Sequence, residues 1–260
     1  MHRRLVALLL VPVVIGGVAT LDGQGTGLTI AAASDLQTVF PHLVSGFERA
    51  TGMKATVTFG SSGSFFAQIQ NGAPYDLYFS ADIDYPRRLG KSGHADPATL
   101  YEYATGRIVL WTRKDSGIDV ASGLSVLRDA RVRRIAIANP TVAPYGRAAV
   151  AALRSQQLND AVRMKLVQGD NIAQAAQLAD SGNADVAIIA HSLAMGPALA
   201  SSGAFAEIPA SAHPPIEQGA IVITASKNRA AARRFLAYVK GAEAQATLQK
   251  FGFTTAAAAR

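Results

Sequence analysis

Four short stretches of this sequence share a chemistry suited to holding an anion: Ser34-Asp35, Ser61-Ser62-Gly63-Ser64, Ala143-Pro144-Tyr145-Gly146 and Asp170-Asn171-Ile172. Each sets small residues, hydroxyls or free backbone amides where a β-rich run gives way to a helical pattern. The first turn of a helix has N–H groups without intrahelical partners and carries the positive end of the macrodipole, so such a junction attracts negative charge. Any one of these stretches, taken alone, reads as ordinary helix capping by Ser, Asp or Asn. Two in each half of the chain are more than capping requires. Donors of this kind are neutral, and hydroxyls and amides aimed at the oxygens suit a fully ionised oxyanion without a counter-charge.

Catalytic readings find less support in the same residues. A hydrolase using Ser34 or Ser62 as nucleophile needs a base within hydrogen-bond reach. Gly60-Ser61-Ser62-Gly63-Ser64 lacks the G-x-S-x-G spacing of a nucleophile elbow, and no P-loop or dinucleotide fingerprint occurs. His42, His94, His191 and His213 are scattered, with no metal-ligand spacing, and are expected at the surface or as caps. Asp35 bears on the choice of anion. Aimed at the ligand, its carboxylate would take the proton of a hydrogen phosphate and repel a fully ionised dianion, whereas as a helix cap it would point away.

The elements that must position these loops alternate strand and helix, which predicts an α/β architecture with largely parallel sheets. Strands are expected at Leu28 to Ala33, Lys54 to Phe59, Asp76 to Ala81, Ile108 to Arg113, Arg134 to Asn139, Met164 to Gln168, Asp185 to Ala190 and Ala220 to Ala225. Helices are expected over Gln37 to Ala50, Phe65 to Asn71, Arg147 to Leu158, Ile172 to Ser181 and, as a pair, Ala230 to Phe251. In an open parallel sheet, ligands bind outside the carboxyl ends of the strands, where the four loops would gather. The Pro/Gly-rich His213 to Gly219 is the clearest linker and Gly106 a second crossing point. The division that follows is one lobe of residues 25–106 and 219–260 and another of 107–218, with two crossings that would let the lobes close on each other.

The 260 residues are 49% hydrophobic and 17% charged, enough for two lobes of ordinary domain size. Arg3 and Arg4 precede an apolar run from Leu5 to Val18 and then small residues, a signal-peptide pattern whose run falls short of the roughly 20 apolar residues of a spanning helix. Residues 1–24 are therefore read as a cleaved signal peptide. There is no cysteine, hence no disulfide, thiolate site or lipid-bearing N-terminal cysteine. Without Arg3, Arg4 and Asp22 the surplus of +7 becomes 23 Lys and Arg against 17 Asp and Glu, a modest basic excess that suits an anion. No basic block or aromatic-interleaved stripe points to nucleic acid.

At these loops the sequence resembles the periplasmic molybdate-binding proteins of ABC transporters, from Leu28 to Phe253. The resemblance is carried by Ala31 to Leu36, Phe59 to Asp82, Asn139 to Gly146, Gly169 to Ala175 and Tyr238 to Phe253, of which the second and last are the most specific. It implies a type II periplasmic-binding-protein fold, no catalysis, no cofactor, a monomer, and a partner permease of an ABC importer. The implied ligand is molybdate or tungstate, with sulfate or phosphate on the same fold as the alternative. By the family pattern Ser34 and Ser62 each give a hydroxyl and an amide to the oxyanion, and Tyr145 and Ile172 give amides, with no protein atom on the metal itself. Some relatives add a tyrosine hydroxyl from the loop where this chain has Ala190, so that one donor is absent or replaced by a water, His191 or the Tyr145 hydroxyl.

Overall fold

The computed structural model describes residues 27–255, so the expected signal peptide lies outside the described residues. In chain order the elements of its first part are β1 (Leu28–Ala33), α1 (Phe40–Thr51), β2 (Ala55–Gly60), α2 (Ser62–Gln70), β3 (Leu77–Ser80), α3 (Asp84–Lys91) and β4 (Tyr101–Gly106). Then follow β5 (Ile108–Arg113), β6 (Ile135–Ala138), α4 (Pro144–Ser155), α5 (Asn159–Val162), β7 (Leu166–Gly169), α6 (Ile172–Asp180), β8 (Val186–Ala190), α7 (His191–Ala194), α8 (Pro197–Ser202) and β9 (Gly203–Glu207). The chain ends on β10 (Ile216–Val222), α9 (Arg229–Lys240) and α10 (Ala242–Lys250).

The strands form two five-stranded sheets, ordered β2-β1-β3-β10-β4 and β7-β6-β8-β5-β9. In the first, β1 pairs in parallel with β2 and β3, and β10 runs antiparallel to both β3 and β4. The second repeats the plan: β6 is parallel to β7 and β8, and β5 is antiparallel to β8 and β9. Each sheet therefore has a single reversed strand, and in each it is the strand by which the chain enters from the other sheet. The chain crosses between Gly106 and Ile108 and returns between Glu207 and Ile216. The strand expected at 220–225 starts earlier than the sequence pattern suggests, so that Gly219, expected at the crossing, lies inside β10. Gln218 and Gly219 pair there with β4 through a register shift, and the linker itself shrinks to His213, Pro214 and Pro215.

Parallel strands covered on both faces are buried along their whole length, as β3, β6 and β8 are. The two cores differ in make-up. The first is aromatic: Phe40 stacks edge-on to Phe79 at 5.0 Å, and Phe47 meets Phe235 at 4.9 Å. The second is aliphatic and alanine-rich around one buried Trp111, whose indole N–H donates to the Leu199 carbonyl at 3.2 Å. Among the described residues no helix is long and apolar enough to cross a membrane.

Candidate functional site

The four loops of the sequence analysis all leave the carboxyl ends of parallel strands, β1 and β2 in one sheet and β6 and β7 in the other. The paired strands end level, Ala33 opposite Gly60 and Ala138 opposite Gly169, so each sheet presents its two loops side by side. Ser34, Ser62, Tyr145 and Ile172 come together around one small cavity, with Ala33, Asp35, Gly60, Ser61, Ala81, Ala143 and Pro144 completing its wall. All four are buried, at 1 to 3% exposure. The cavity's volume of about 10 Å³ is far below the roughly 300 Å³ at which pockets for organic ligands begin. A larger groove beside it, lined by Asp82, Arg87, Arg147 and Glu217, is built from paired surface charges rather than buried donors.

Local structure separates the residues that cap from those left to bind. In α6 the Asn171 side chain accepts the amides of Ala173 and Gln174 at 3.0 and 3.1 Å, which leaves the amide of Ile172, the first of the helix, outside that cap. In α2 the Ser61 hydroxyl accepts from the Ser64 amide at 3.3 Å, so Ser61 is the cap and Ser62 is the first helical residue. The Ser62 hydroxyl accepts from the Ala81 amide at 3.0 Å, and its own proton remains available to a ligand. In α4 Pro144 has no N–H, and the Ala143 carbonyl takes the amides of Gly146 and Arg147 at 3.0 and 3.2 Å. The Tyr145 amide is thus the first donor of that helix. Ser34 opens a short 3-10 turn with no side-chain cap, and its hydroxyl donates to Asn171 Oδ1 at 3.1 Å, an oxygen already occupied by two amides.

Across the cleft the two lobes are clasped. The Gly63 amide donates to the Val142 carbonyl at 2.8 Å, an approach a side chain would block, since a Cβ at Gly63 would stand 2.8 Å from that same oxygen. Arg147 pairs with Asp82 and reaches the Tyr85 hydroxyl, while Thr38 donates to the Ser192 carbonyl at 2.9 Å and Ser192 to the Asp35 carbonyl at 2.7 Å. These cross-lobe pairs were not legible in the sequence, because their members lie 62 to 157 residues apart.

Asp35 departs from expectation. It caps no helix; it is wholly buried, and its Oδ2 accepts from the Tyr145 hydroxyl at 3.0 Å and from Gln218 Nε2 at 2.8 Å. Gln218 Oε1 in turn accepts from the Tyr103 hydroxyl at 2.6 Å. Burial pushes the Asp35 carboxyl up from 3.8 to about 6, against the lowering effect of those hydrogen bonds. The same burial, with Asp35 nearby, drives the Tyr103 and Tyr145 hydroxyls well above their ordinary values. Of the stand-ins considered for the absent tyrosine donor, the Tyr145 hydroxyl is committed to Asp35 and Gln218. His191, expected at the surface or as a cap, is instead buried and packs against Phe205 at 5.2 Å; it does not line the cavity. Neither serine hydroxyl meets a histidine: the partners are Asn171 for Ser34 and Ala81 for Ser62.

Residues 28–254 match the family model described as bacterial extracellular solute-binding protein. The sequence is 34% identical to a molybdate-binding protein of Azotobacter vinelandii over 91% of this chain and 93% of that one. It is also 34% identical to the molybdate-binding protein of Rhodobacter capsulatus, over 80% of this chain and 81% of the relative. The fold is similar to that of the solved Azotobacter vinelandii periplasmic molybdate-binding protein, with a TM-score of 0.82 and 33% identity over 87% of this chain and 98% of that one. A mycobacterial sulfate-binding protein shares the fold with a TM-score of 0.72 at 18% identity, covering 90% of this chain and 88% of that one.

Proposed function

The chain belongs to the bacterial extracellular solute-binding proteins, and from that premise we propose that it captures molybdate or tungstate between its lobes and delivers the oxyanion to the permease of an ABC importer. The observation that carries the reading is the cavity itself: small, buried, and walled by first-turn amides and hydroxyls from both sheets. Ser34 and Ser62 give a hydroxyl and an amide each, and Tyr145 and Ile172 give amides. Three helix starts and the 3-10 turn at Ser34 then point their N–H groups at one tetrahedral ion, whose oxygens take the hydrogen bonds. The metal centre meets no protein atom. Nothing in this reading calls for a cofactor or for chemistry on the ligand.

The lobes, on this reading, are residues 25–106 with 219–260 and residues 107–218, moving about the crossings at Gly106 and at the prolines before β10. Export by residues 1–24, release without a lipid tether, and a monomeric state in the periplasm complete the proposal. The 34% identity to two molybdate-binding proteins over most of both chains supports molybdate over sulfate, whose binding protein is similar only in fold. Sulfate, molybdate and tungstate carry the same charge, so size must sort them. A cleft fitted to the larger ions leaves sulfate with stretched hydrogen bonds, and each unmet buried donor costs about 1 to 3 kcal/mol. Calorimetric competition among molybdate, tungstate, sulfate and phosphate tests this. Molybdate and tungstate should bind alike and exceed sulfate by orders of magnitude; equal binding of sulfate or phosphate would move the assignment to that alternative.

A further inference from the structure

The wall of the cavity contains one carboxyl, that of Asp35, and a carboxylate is the least expected group beside a dianion. Its two oxygens are unequal. Oδ2 receives two donors, the Tyr145 hydroxyl and the Gln218 amide. Oδ1 is buried and accepts no hydrogen bond from any other residue. A buried carboxylate oxygen without a donor is costly. If the carboxyl is protonated, its proton must sit on Oδ1, since Oδ2 is held by two donors that both need an acceptor, and an Oδ1–H lacks a protein acceptor. A ligand oxygen in the cavity would supply one.

No cation stands near enough to keep Asp35 ionised once an anion enters. Of the elements packed on the Ser34–Leu36 turn, β2 carries no ionisable residue, α6 has Asp180 at its far end with exposed Asp170 before it, and α7 has His191, turned to Phe205. From α4 Tyr145 faces Asp35 and Arg147 is engaged by Asp82; from β10 comes neutral Gln218, with Glu217 exposed; from β4 Tyr103 approaches, with Glu102 exposed. Two like charges in one buried site cannot both persist at a few ångströms' separation.

Resting on the oxyanion reading above, we propose that Asp35 takes up one proton from solvent when the dianion binds and donates it from Oδ1 to a ligand oxygen, making capture proton-coupled. The balance is simple: dianion, ionised Asp35 and one solvent proton become a complex in which the carboxyl is neutral and the ligand remains a dianion. Asp35 thereby acts as a seventh donor beside two hydroxyls and four amides, compensating for the tyrosine hydroxyl that some relatives supply. In the free protein its carboxyl titrates at about 6, so at pH 8 it is ionised and must be neutralised on binding. Affinity then falls about tenfold for each pH unit above 7, as uptake of one proton requires. Tyr145 has two duties here, its amide to the ligand and its hydroxyl to the oxygen that stays unprotonated.

Titration calorimetry with molybdate, and separately tungstate, at pH 6.5 to 9 in buffers of different ionisation enthalpy counts the protons. Wild-type protein should take up close to one proton per ion at pH 8 and lose affinity with rising pH. Asp35→Asn, whose side-chain N–H₂ donates without a titration, should take up none, give a flat profile and bind more tightly than wild type at pH 8. Binding by the wild type with no proton uptake and a flat profile would overturn this inference alone, and the wild-type count decides even if the variant fails to fold. Absence of heat with either ion at every pH would overturn the functional reading, and this inference with it.

Discussion

The two halves of the cavity come from the same kind of place, the ends of two adjacent parallel strands, yet are made of different material. The first-sheet half offers side chains beside its two amides: the hydroxyls of Ser34 and Ser62 and the carboxyl of Asp35. The second-sheet half offers backbone, the first amides of α4 and α6, while the side chains of Tyr145 and Ile172 turn into the protein. A half built from side chains can be edited by single substitutions and can carry a proton. A half built from amides is fixed by the path of the chain, and only a change that moves the helix start will alter it.

The largest effect should come from breaking the amide half at its path. A Cβ at Gly146 would stand 2.1 Å from the Ala138 carbonyl oxygen, so Gly146→Val must displace the start of α4. Losing the Tyr145 amide and lobe closure together should weaken molybdate binding by about a hundredfold or more, since one hydrogen bond to a charged group contributes about 1.5 to 3 kcal/mol. Circular dichroism and calorimetry should find a folded protein that no longer captures the ion.

Next comes the carboxyl of the side-chain half, read through stability. Its folded-state value of about 6 lies above the ordinary 3.8, so what neutral Asp35 contributes is fully present below pH 3.8 and is lost as pH rises through 6. Asp35→Asn should therefore stabilise the ligand-free protein at pH 8 by about 2 to 3 kcal/mol and leave it nearly unchanged at pH 3.5. Urea melts at the two pH values check this, and equal effects at both would place the titration elsewhere.

Ser34→Ala and Ser62→Ala each remove one hydroxyl from a site whose amides remain, and each should weaken binding about ten- to a hundredfold with the fold intact. The Ser62 change should be the larger, because Ser34 in the free protein already shares its proton with Asn171. The smallest effect belongs to the amide half: Ile172→Val leaves the backbone donor in place and should shift affinity by less than about twofold, at a packing cost of roughly 1 kcal/mol. A large loss there would mean that the side chain, not the amide, faces the ligand.

The same contrast explains how much could be read in advance. Strands β1 and β5 were legible to the residue, and β6 and β8 within one, because strands covered on both faces leave largely apolar runs whichever way they point. Six elements escaped: the short helices α5, α7 and α8, of four to six residues, and β9, β4 and α3. β9 is short, alanine-rich and half-exposed; β4 runs directly into the crossing at Gly106; and α3 holds Pro86 and Gly90, which argue against a helix although the proline sits in the first turn, where its missing N–H does no harm. The four loops around the cavity were legible because helix starts announce themselves locally, whereas the choice of Ser34, Ser62, Tyr145 and Ile172 within them came from the family resemblance. Asp35 was visible as a residue but not in its role, which depends on Gln218 and Tyr145, 183 and 110 positions away. Its one local signal was a carboxylate two residues beyond a largely apolar, buried strand, where solvent was not to be expected.

The central claim is that one oxyanion is held between the lobes by these two unlike halves. Crystals of the protein grown with tungstate and measured at the tungsten absorption edge locate the heavy atom without any assumption about the site. The account predicts a single anomalous peak enclosed by Ser34, Ser62, Tyr145 and Ile172, with Asp35 Oδ1 within hydrogen-bond distance of one tungstate oxygen. A peak in the outer groove of Arg87 and Arg147, or none at all, would contradict it.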